Sequence, residues 1–295
     1  MPELIALQAT PVARRPVTAG EHGFAQRIAR LAVRSLYAEL VLYPKPGLVS
    51  RVDNGSHADM TAATFLRSMF ALRRYFLHIT RAGIDDAPFH VLKRLGIEAE
   101  ARMLHATAGI NTHRGAIFCL GMLCAAIGRC HVRGVRMTAD AVQAMLLQCW
   151  ASALGAHSID AGAGSNGARA RLAYAASGAR EEGARGFPSV FDVGLPALRR
   201  ALAAGRGVRE ARIDALFALM AHISDTNVYH RGGPEGALAV RHQARAFVAR
   251  GGTACPDWEA RALACHRGFV ASRLSPGGAA DLLGAACLLQ AVTVA

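Results

Sequence analysis

The sequence predicts an all-α protein, and three observations lead there. From about Phe24, Ile28, Leu31, Ala32, Ser35, Leu36 and Leu40 recur at three- and four-residue spacing, the period of one helix face. Alanine and leucine fill most apolar positions, and both favour helix. Alternating runs are nearly absent; the best strand candidate, Val190-Phe191-Asp192-Val193, is too short to found a sheet. A chain of 295 residues can bury a sizeable core. The expected architecture is a single multi-helix bundle with the active site at converging helix ends. Residues 1–22 read as a loose N-terminal arm, and 23–295 as a single catalytic domain.

The elements follow in order. The first helix ends at Tyr43-Pro44-Lys45-Pro46-Gly47, because two prolines cannot continue it. Glu39 lies on its apolar face, either as a boundary residue with its head in water or as an acid pointing into a polar cavity. Asp59 or Thr61 caps the next helix, which runs to about Thr80 with Phe65, Met69, Leu72 and Phe76 on its apolar side. Further helices are expected near 89–107, 115–131, 138–155, 167–177, 194–204, 209–223, 235–250, 257–273 and 278–293. Thr138-Ala139-Asp140 and Ser275-Pro276-Gly277 are start signals, and Gly155, Gly178 and Gly205 are stops. The glycine-rich, charged stretch from Gly178 to Pro188 is expected to be mobile.

The net charge is +13, with 34 Lys+Arg, yet Lys45 and Lys93 are the only lysines. The arginines are scattered rather than clustered, which argues against nucleic acid as a partner and suits a small polyanion. The seven cysteines contain no C-x-x-C pair and read as buried, reduced thiols. Met1 to Gly20 has no apolar signal-peptide core. The apolar run Gly115–Gly128 is too short to span a bilayer. A cytoplasmic protein with no membrane partner is expected, and self-association into a homo-oligomer is left open.

Five helix junctions combine small residues with Asp, Asn, His and Arg: Pro44–Asp59, Gly109–Gly115, Asp160–Gly167, Asp225–Gly233 and Ser275–Asp281. Singly, each has a plain explanation: a cap at Asp59, an Asx turn at Asn111, a capping run at Asp225–Asn227, a turn at Gly277–Gly278. Together they hold more hydrogen-bonding groups than turns require. The inventory suits a polyphosphate. Lys45, Arg114 and Arg231 are cations, and helix N-termini after Gly115, Gly167 and Gly277 supply backbone donors. Asp59, Asp225 and Asp281 are hard oxygen ligands suited to Mg2+ shared with phosphates. No G-x-x-x-x-G-K-[ST] or H-E-x-x-H motif occurs, and no G-x-G-x-x-G opens a helix after a strand, which disfavours P-loop, Rossmann and thermolysin-like enzymes.

The strings Pro44-Lys45-Pro46-Gly47-Leu48-Val49 and Asn54-Gly55-Ser56-His57-Ala58-Asp59-Met60 stand first in an ordered series. Gly109-Ile110-Asn111-Thr112-His113-Arg114-Gly115-Ala116-Ile117-Phe118 follows, then Gly186-Phe187-Pro188-Ser189-Val190. Asp225-Thr226-Asn227 with His230-Arg231-Gly232-Gly233, and Ser275-Pro276-Gly277-Gly278 running to Leu283, complete it. Over about residues 25–290 the chain resembles the triphosphoribosyl-dephospho-CoA synthases. The resemblance implies a transferase that joins ATP to 3′-dephospho-CoA, giving 2′-(5″-triphosphoribosyl)-3′-dephospho-CoA and adenine. The product would pass to a separate carrier-protein transferase, of malonate decarboxylase rather than citrate lyase. An ADP-ribosylglycohydrolase-like hydrolase and a basic helical nucleic-acid binder are the alternatives.

In this reading Asp59 or Asp225 is the catalytic base, with Glu39 next. Lys45, Arg114, Arg231 and Mg2+ clamp the triphosphate, while His57 and His113 meet the departing adenine. Asn111, Asn227, Gly277 and Gly278 complete the substrate- and phosphate-binding set, and Asp59, Asp225 and Asp281 the metal set. Two positions depart from the family's pattern. Arg114 stands where lysine is frequent, and Glu181 stands at an expected glycine, where a positive φ would strain it.

Overall fold

The computed structural model describes residues 18–159 and 179–293, and among them every regular element is helical. They are α1 (Ala19–Leu40), α2 (Ala62–Ile84), α3 (Phe89–Ala106), α4 (Arg114–Val132), α5 (Ala139–Ile159) and α6 (Ala179–Ala184). A π-helical turn (Ser189–Gly194) leads into α7 (Leu195–Ala203), followed by α8 (Val208–His222) and α9 (Thr226–Ala249). After a 3-10 turn at Gly252–Ala254 come α10 (Trp258–Ala271) and α11 (Gly277–Val292).

Several boundaries differ from the sequence expectation, each for a local reason. The first helix starts at Ala19, inside the expected 1–22 arm, because Thr18 and Glu21 close a capping box. Gly155 does not stop α5, which continues to Ile159. The Val190–Val193 strand candidate is a π-helical turn. The Asp225–Gly233 junction is largely helix: α9 starts at Thr226 and kinks at Gly233 (φ 59°) before Pro234. Glu181 lies within α6 and outside the residues of positive φ, so it carries no such strain. The expected helix 167–177, the junction Asp160–Gly167 and the stop at Gly178 lie outside the described residues.

The core is built around α2 and α4. Helix α2 packs against α1, α3 and α4; α4 also meets α5 and α11; α11 returns to α1, and α8 joins α7, α9 and α11. Alanine, leucine and cysteine from these helices form one continuous apolar cluster, and all seven cysteines are free. Helix α4, at 19 residues, is longer than its apolar run suggested and is apolar enough to cross a membrane, but 78% of its apolar window is buried in the bundle.

Glycine makes the central crossing possible. A Cβ on Gly83 of α2 would stand 2.0 Å from the Ala125 carbonyl oxygen of α4, and one on Gly128 would stand 2.3 Å from the Thr80 carbonyl oxygen. The two backbones are therefore in direct contact, and only backbone shifts could admit a methyl group. Gly83→Ala should cost about 2–3 kcal/mol of stability, read as a lower urea midpoint; an unchanged midpoint would show that the crossing can open freely.

Candidate active site

A cleft of about 1140 Å3 is lined by residues from α1, α2, α3, α4, α6, α9 and α11 and by the loop after α1. Its polar floor is made where the N-termini of α4, α9 and α11 come together. Asp225 is the N-cap of α9, with Oδ1 accepting from the Asn227 N–H at 2.9 Å. Its other oxygen accepts from the Ala279 N–H of α11 at 3.1 Å. One carboxylate thus closes two helix starts. Burial pushes its pKa up, while the N–H groups of Asn227, Ala279, Gly278 and Val228 pull it down.

Asp281, on the second turn of α11, makes the third connection. The Ala116 N–H of α4 favours its charged form, but burial, then Glu39, then Asp225 push its pKa well above the usual carboxylate range. The approach needs glycine at 115, since a Cβ there would lie 2.1 Å from Asp281 Oδ2. Gly278 plays the same part for Asp225, whose carboxylate atoms lie 3.0–3.1 Å from where a Cβ would stand.

Glu39 and Lys45 form a buried ion pair, with side-chain exposures of 7% and 1%. Burial raises the pKa of Glu39 and lowers that of Lys45, each opposed by the partner's charge. Glu39 therefore points into a polar interior, and Lys45 has a carboxylate partner already. His266 holds the same loop from beneath, with Nδ1 3.1 Å from the Lys45 carbonyl oxygen and Nε2 3.2 Å from Asp53 Oδ2.

The rim is organised by His57. Arg231 Nη2 donates to His57 Nδ1 at 2.9 Å, which leaves Nε2 to donate to Ser275 Oγ at 2.8 Å. Burial, then the Arg231 charge, lowers the His57 pKa to about 4, so this imidazole is neutral at neutral pH. Arg231 also donates to the Ser56 carbonyl at 3.0 Å, tying α9 to the loop. Asp59 lies 3.9 Å from His57 Nδ1 with a side chain 62% exposed, at the rim and apart from the carboxylates that raise Asp281. Helix α2 is capped by Thr61, not Asp59.

His113 is buried, lies 2.6 Å from Ser68 Oγ through Nδ1, and has its pKa lowered to about 3, by burial first and the Lys45 charge second. Its Nε2 and the Thr112 hydroxyl are buried without a hydrogen-bond partner, and both residues line the cleft. Such atoms call for a partner that the described residues do not supply. Asn111 accepts from the Arg114 N–H at 3.1 Å and so serves the start of α4. The Arg114 guanidinium is paired with Glu100 of α3. Asn227 is exposed on the first turn of α9, with its amide beside Gly277.

Sequence reasoning missed Ser68, Glu100 and Ser275. Ser275 lay in a marked junction without being singled out. Ser68 and Glu100 sit within ordinary helices, where nothing in the pattern distinguishes them from neighbours. Among the described residues, no three His, Cys, Asp or Glu side chains form a metal cage. Mg2+ does not require one, since it keeps waters and takes one or two carboxylates alongside substrate phosphates. Asp281 fits that mode, as a hard oxygen donor at the cleft with lone pairs beyond the one taken by the Ala116 N–H; Asp225 has less to spare, since four backbone N–H groups surround it.

The family model for ATP:dephospho-CoA triphosphoribosyl transferase matches residues 25–295. A probable 2-(5''-triphosphoribosyl)-3'-dephosphocoenzyme-A synthase of Acinetobacter calcoaceticus is 40% identical over 260 residues, covering 88% of this chain and 89% of the relative. The 2-(5''-triphosphoribosyl)-3'-dephosphocoenzyme-A synthase of Pectobacterium atrosepticum is 39% identical over 274 residues, covering 90% and 87%. No solved structure matches the chain.

Two outcomes test this geometry. Gly115→Ala should lower turnover at least about 100-fold, the order seen when a catalytic group is misplaced, while the urea midpoint moves little. Near-normal turnover would show that the Asp281 contact is dispensable. The second concerns pH. His57 and His113 have folded pKa values of about 4 and about 3 against an ordinary 6.5. The unfolded chain therefore takes up protons first, and stability is lost as pH falls below about 6.5. The urea midpoint should drop between pH 7 and 4.5, and His57→Gln should flatten that drop relative to wild type.

Proposed function

The chain belongs to the ATP:dephospho-CoA triphosphoribosyl transferase family, and we propose that its cleft performs the transfer with Asp225 as base and the helix ends as phosphate cradle. The observation that carries this is the meeting of three helix N-termini around Asp225 and Asp281. Helix starts attract phosphate, and carboxylates beside them can stabilise a cationic sugar.

The reaction breaks the bond from adenine to C1′ of the ATP ribose and joins C1′ to the 2′-oxygen of 3′-dephospho-CoA. Positive charge develops on the ribosyl ring as in glycosidases. Asp225, with Glu39 behind it, sets the negative potential that favours it, while Asp281, its pKa held well above the usual carboxylate range, adds charge once a cation displaces its proton. Asp225 takes the proton from the attacking 2′-hydroxyl; its raised pKa makes it a stronger base than an exposed aspartate. Asp59 is too exposed to share that role, and Glu39 is engaged by Lys45. The ion pair acts as a positioning device instead, holding the loop against α1.

Adenine leaves with the bonding electrons and is protonated from solvent. Neutral His113, with its unpartnered Nε2, and Thr112 offer hydrogen bonds to the base rather than a proton. The triphosphate, which survives in the product, lies near the positive ends of α4, α9 and α11 with the Gly115 N–H as backbone donor, and with Arg114 and Arg231 at the rim. Asp281 would hold Mg2+, leaving Asp225 free as base, and the ion would supply charge neutralisation on the triphosphate. The product would then be handed to a separate carrier-protein transferase, the malonate decarboxylase route being preferred to the citrate lyase route.

The test is direct. With ATP, Mg2+ and 3′-dephospho-CoA, mass spectrometry should find free adenine and a coupled product that keeps its triphosphate. ADP or AMP without adenine would sink the transferase reading, and full-rate adenine release without dephospho-CoA would mark a hydrolase. Asp225→Asn should lower kcat by about 1000-fold, in the range for a lost general base, with the helical circular dichroism retained.

A further inference from the structure

Both lysines of the chain, Lys45 and Lys93, line the same cleft. In a protein where arginine supplies nearly every cation, a retained lysine marks a place for a compact, rotatable ammonium rather than a planar fork. Lys45 is accounted for by Glu39. Lys93 is not: it is exposed, and among the described residues it forms no ion pair. The arginines nearby are engaged. Arg94 and Arg102 face Glu98, and Arg114 holds Glu100.

Lys93 belongs to a stripe. Phe89, Leu92, Lys93, Gly96, Ile97 and Glu100 of α3 line the cleft, and their three- and four-residue spacing places them on one helix face. Ile97 is 60% exposed there, an apolar side chain left on the wall of a polar cleft. This wall meets the floor at Glu100, which pairs with Arg114 at the start of α4, and Lys93 lies about two helical turns from that point. Helix α3 packs against α2, α4 and α5, whereas α9 and α11 pack on α8 and, for α11, on α1 and α4.

We propose that this face of α3 is the docking wall for the acceptor, with Lys93 binding the diphosphate of 3′-dephospho-CoA and Ile97 packing on its pantetheine arm. The inference rests on the transferase reading above. Two anionic substrates must share the cleft, and the helix ends serve only one polyphosphate. The acceptor also carries a long, partly apolar arm that ATP lacks. A lone ammonium beside an exposed isoleucine matches a diphosphate followed by such an arm.

Because the diphosphate chemistry is shared with ATP, the test must separate the two. Lys93→Ala should raise the KM for dephospho-CoA about tenfold, the order for one lost charge-assisted contact. The KM for ATP and kcat should stay within about twofold, inside the scatter of a surface change. Lys93→Arg should recover most of the loss, and Ile97→Asp should raise the same KM alone. A rise in the KM for ATP instead, or no change in either, overturns the proposal. Should the wild type form no adenine, the transferase reading itself fails. Calorimetry of dephospho-CoA binding then decides about Lys93 independently: a Kd unchanged by Lys93→Ala overturns it, and a weakened one upholds it.

Discussion

Two aspartates hold the starts of three helices together. Asp225 accepts backbone N–H groups from α9 and α11, and Asp281 reaches from α11 to the first turn of α4. Each helix start carries unpaired N–H groups and a partial positive charge. Three of them in one place would repel one another and leave donors unsatisfied. The carboxylates remove both problems at once, and the glycines at 115 and 278 are what let them come close enough. Everything else about the cleft follows from that arrangement: its electropositive backbone, its acidic side chains, and its position at the junction of otherwise apolar helices.

The same electrostatic logic explains why so basic a chain is acidic at its centre. Burial, then Glu39 and Asp225 close by, raise the proton affinity of Asp281, and Lys45 is a buried cation that offsets part of this charge. A buried pair contributes little net stability against desolvation, but removing either partner leaves an uncompensated charge. Its value here is positional. Glu39 anchors Lys45, His266 holds the Lys45 carbonyl, and the loop carrying His57 is thereby fixed against Ser275 and Arg231. Arginines at the rim are likewise committed to protein partners, Arg114 to Glu100 and Arg231 to His57 and the Ser56 carbonyl, so a phosphate would meet the helix dipoles first and cations second.

Much of this was legible in the residues. The helical periodicity around Ile28–Leu40 marked α1, Thr138 and Pro276-Gly277 marked the starts of α5 and α11, and the odd composition of the junctions marked the cleft. Other features were not. Glu39 on an apolar helix face was ambiguous because its partner, Lys45, lies beyond two prolines that no periodicity carries across. Asp59 and Asp225 looked alike as capping aspartates, yet one is exposed at the rim and the other is buried between two helices. Ser68 carried no local signal, since it reads as an ordinary helix residue until α4 is set beside it, and Lys93 stood out only as one of two lysines, with nothing to place it at the cleft.

What the sequence determined by itself was therefore the helical class, the junctions that hold the chemistry and, through their order, the family. These depend on local period, capping and short strings, all written within a few residues of one another. Only the tertiary structure decided which carboxylates are buried together, which cations are already paired, and which side chains remain free for a ligand. Those properties arise from contacts across the chain: Ser275 with His57, Ala279 with Asp225, Gly115 with Asp281. Charge and solvation are set by such neighbours, and neighbours distant in sequence exist only once the helices have packed.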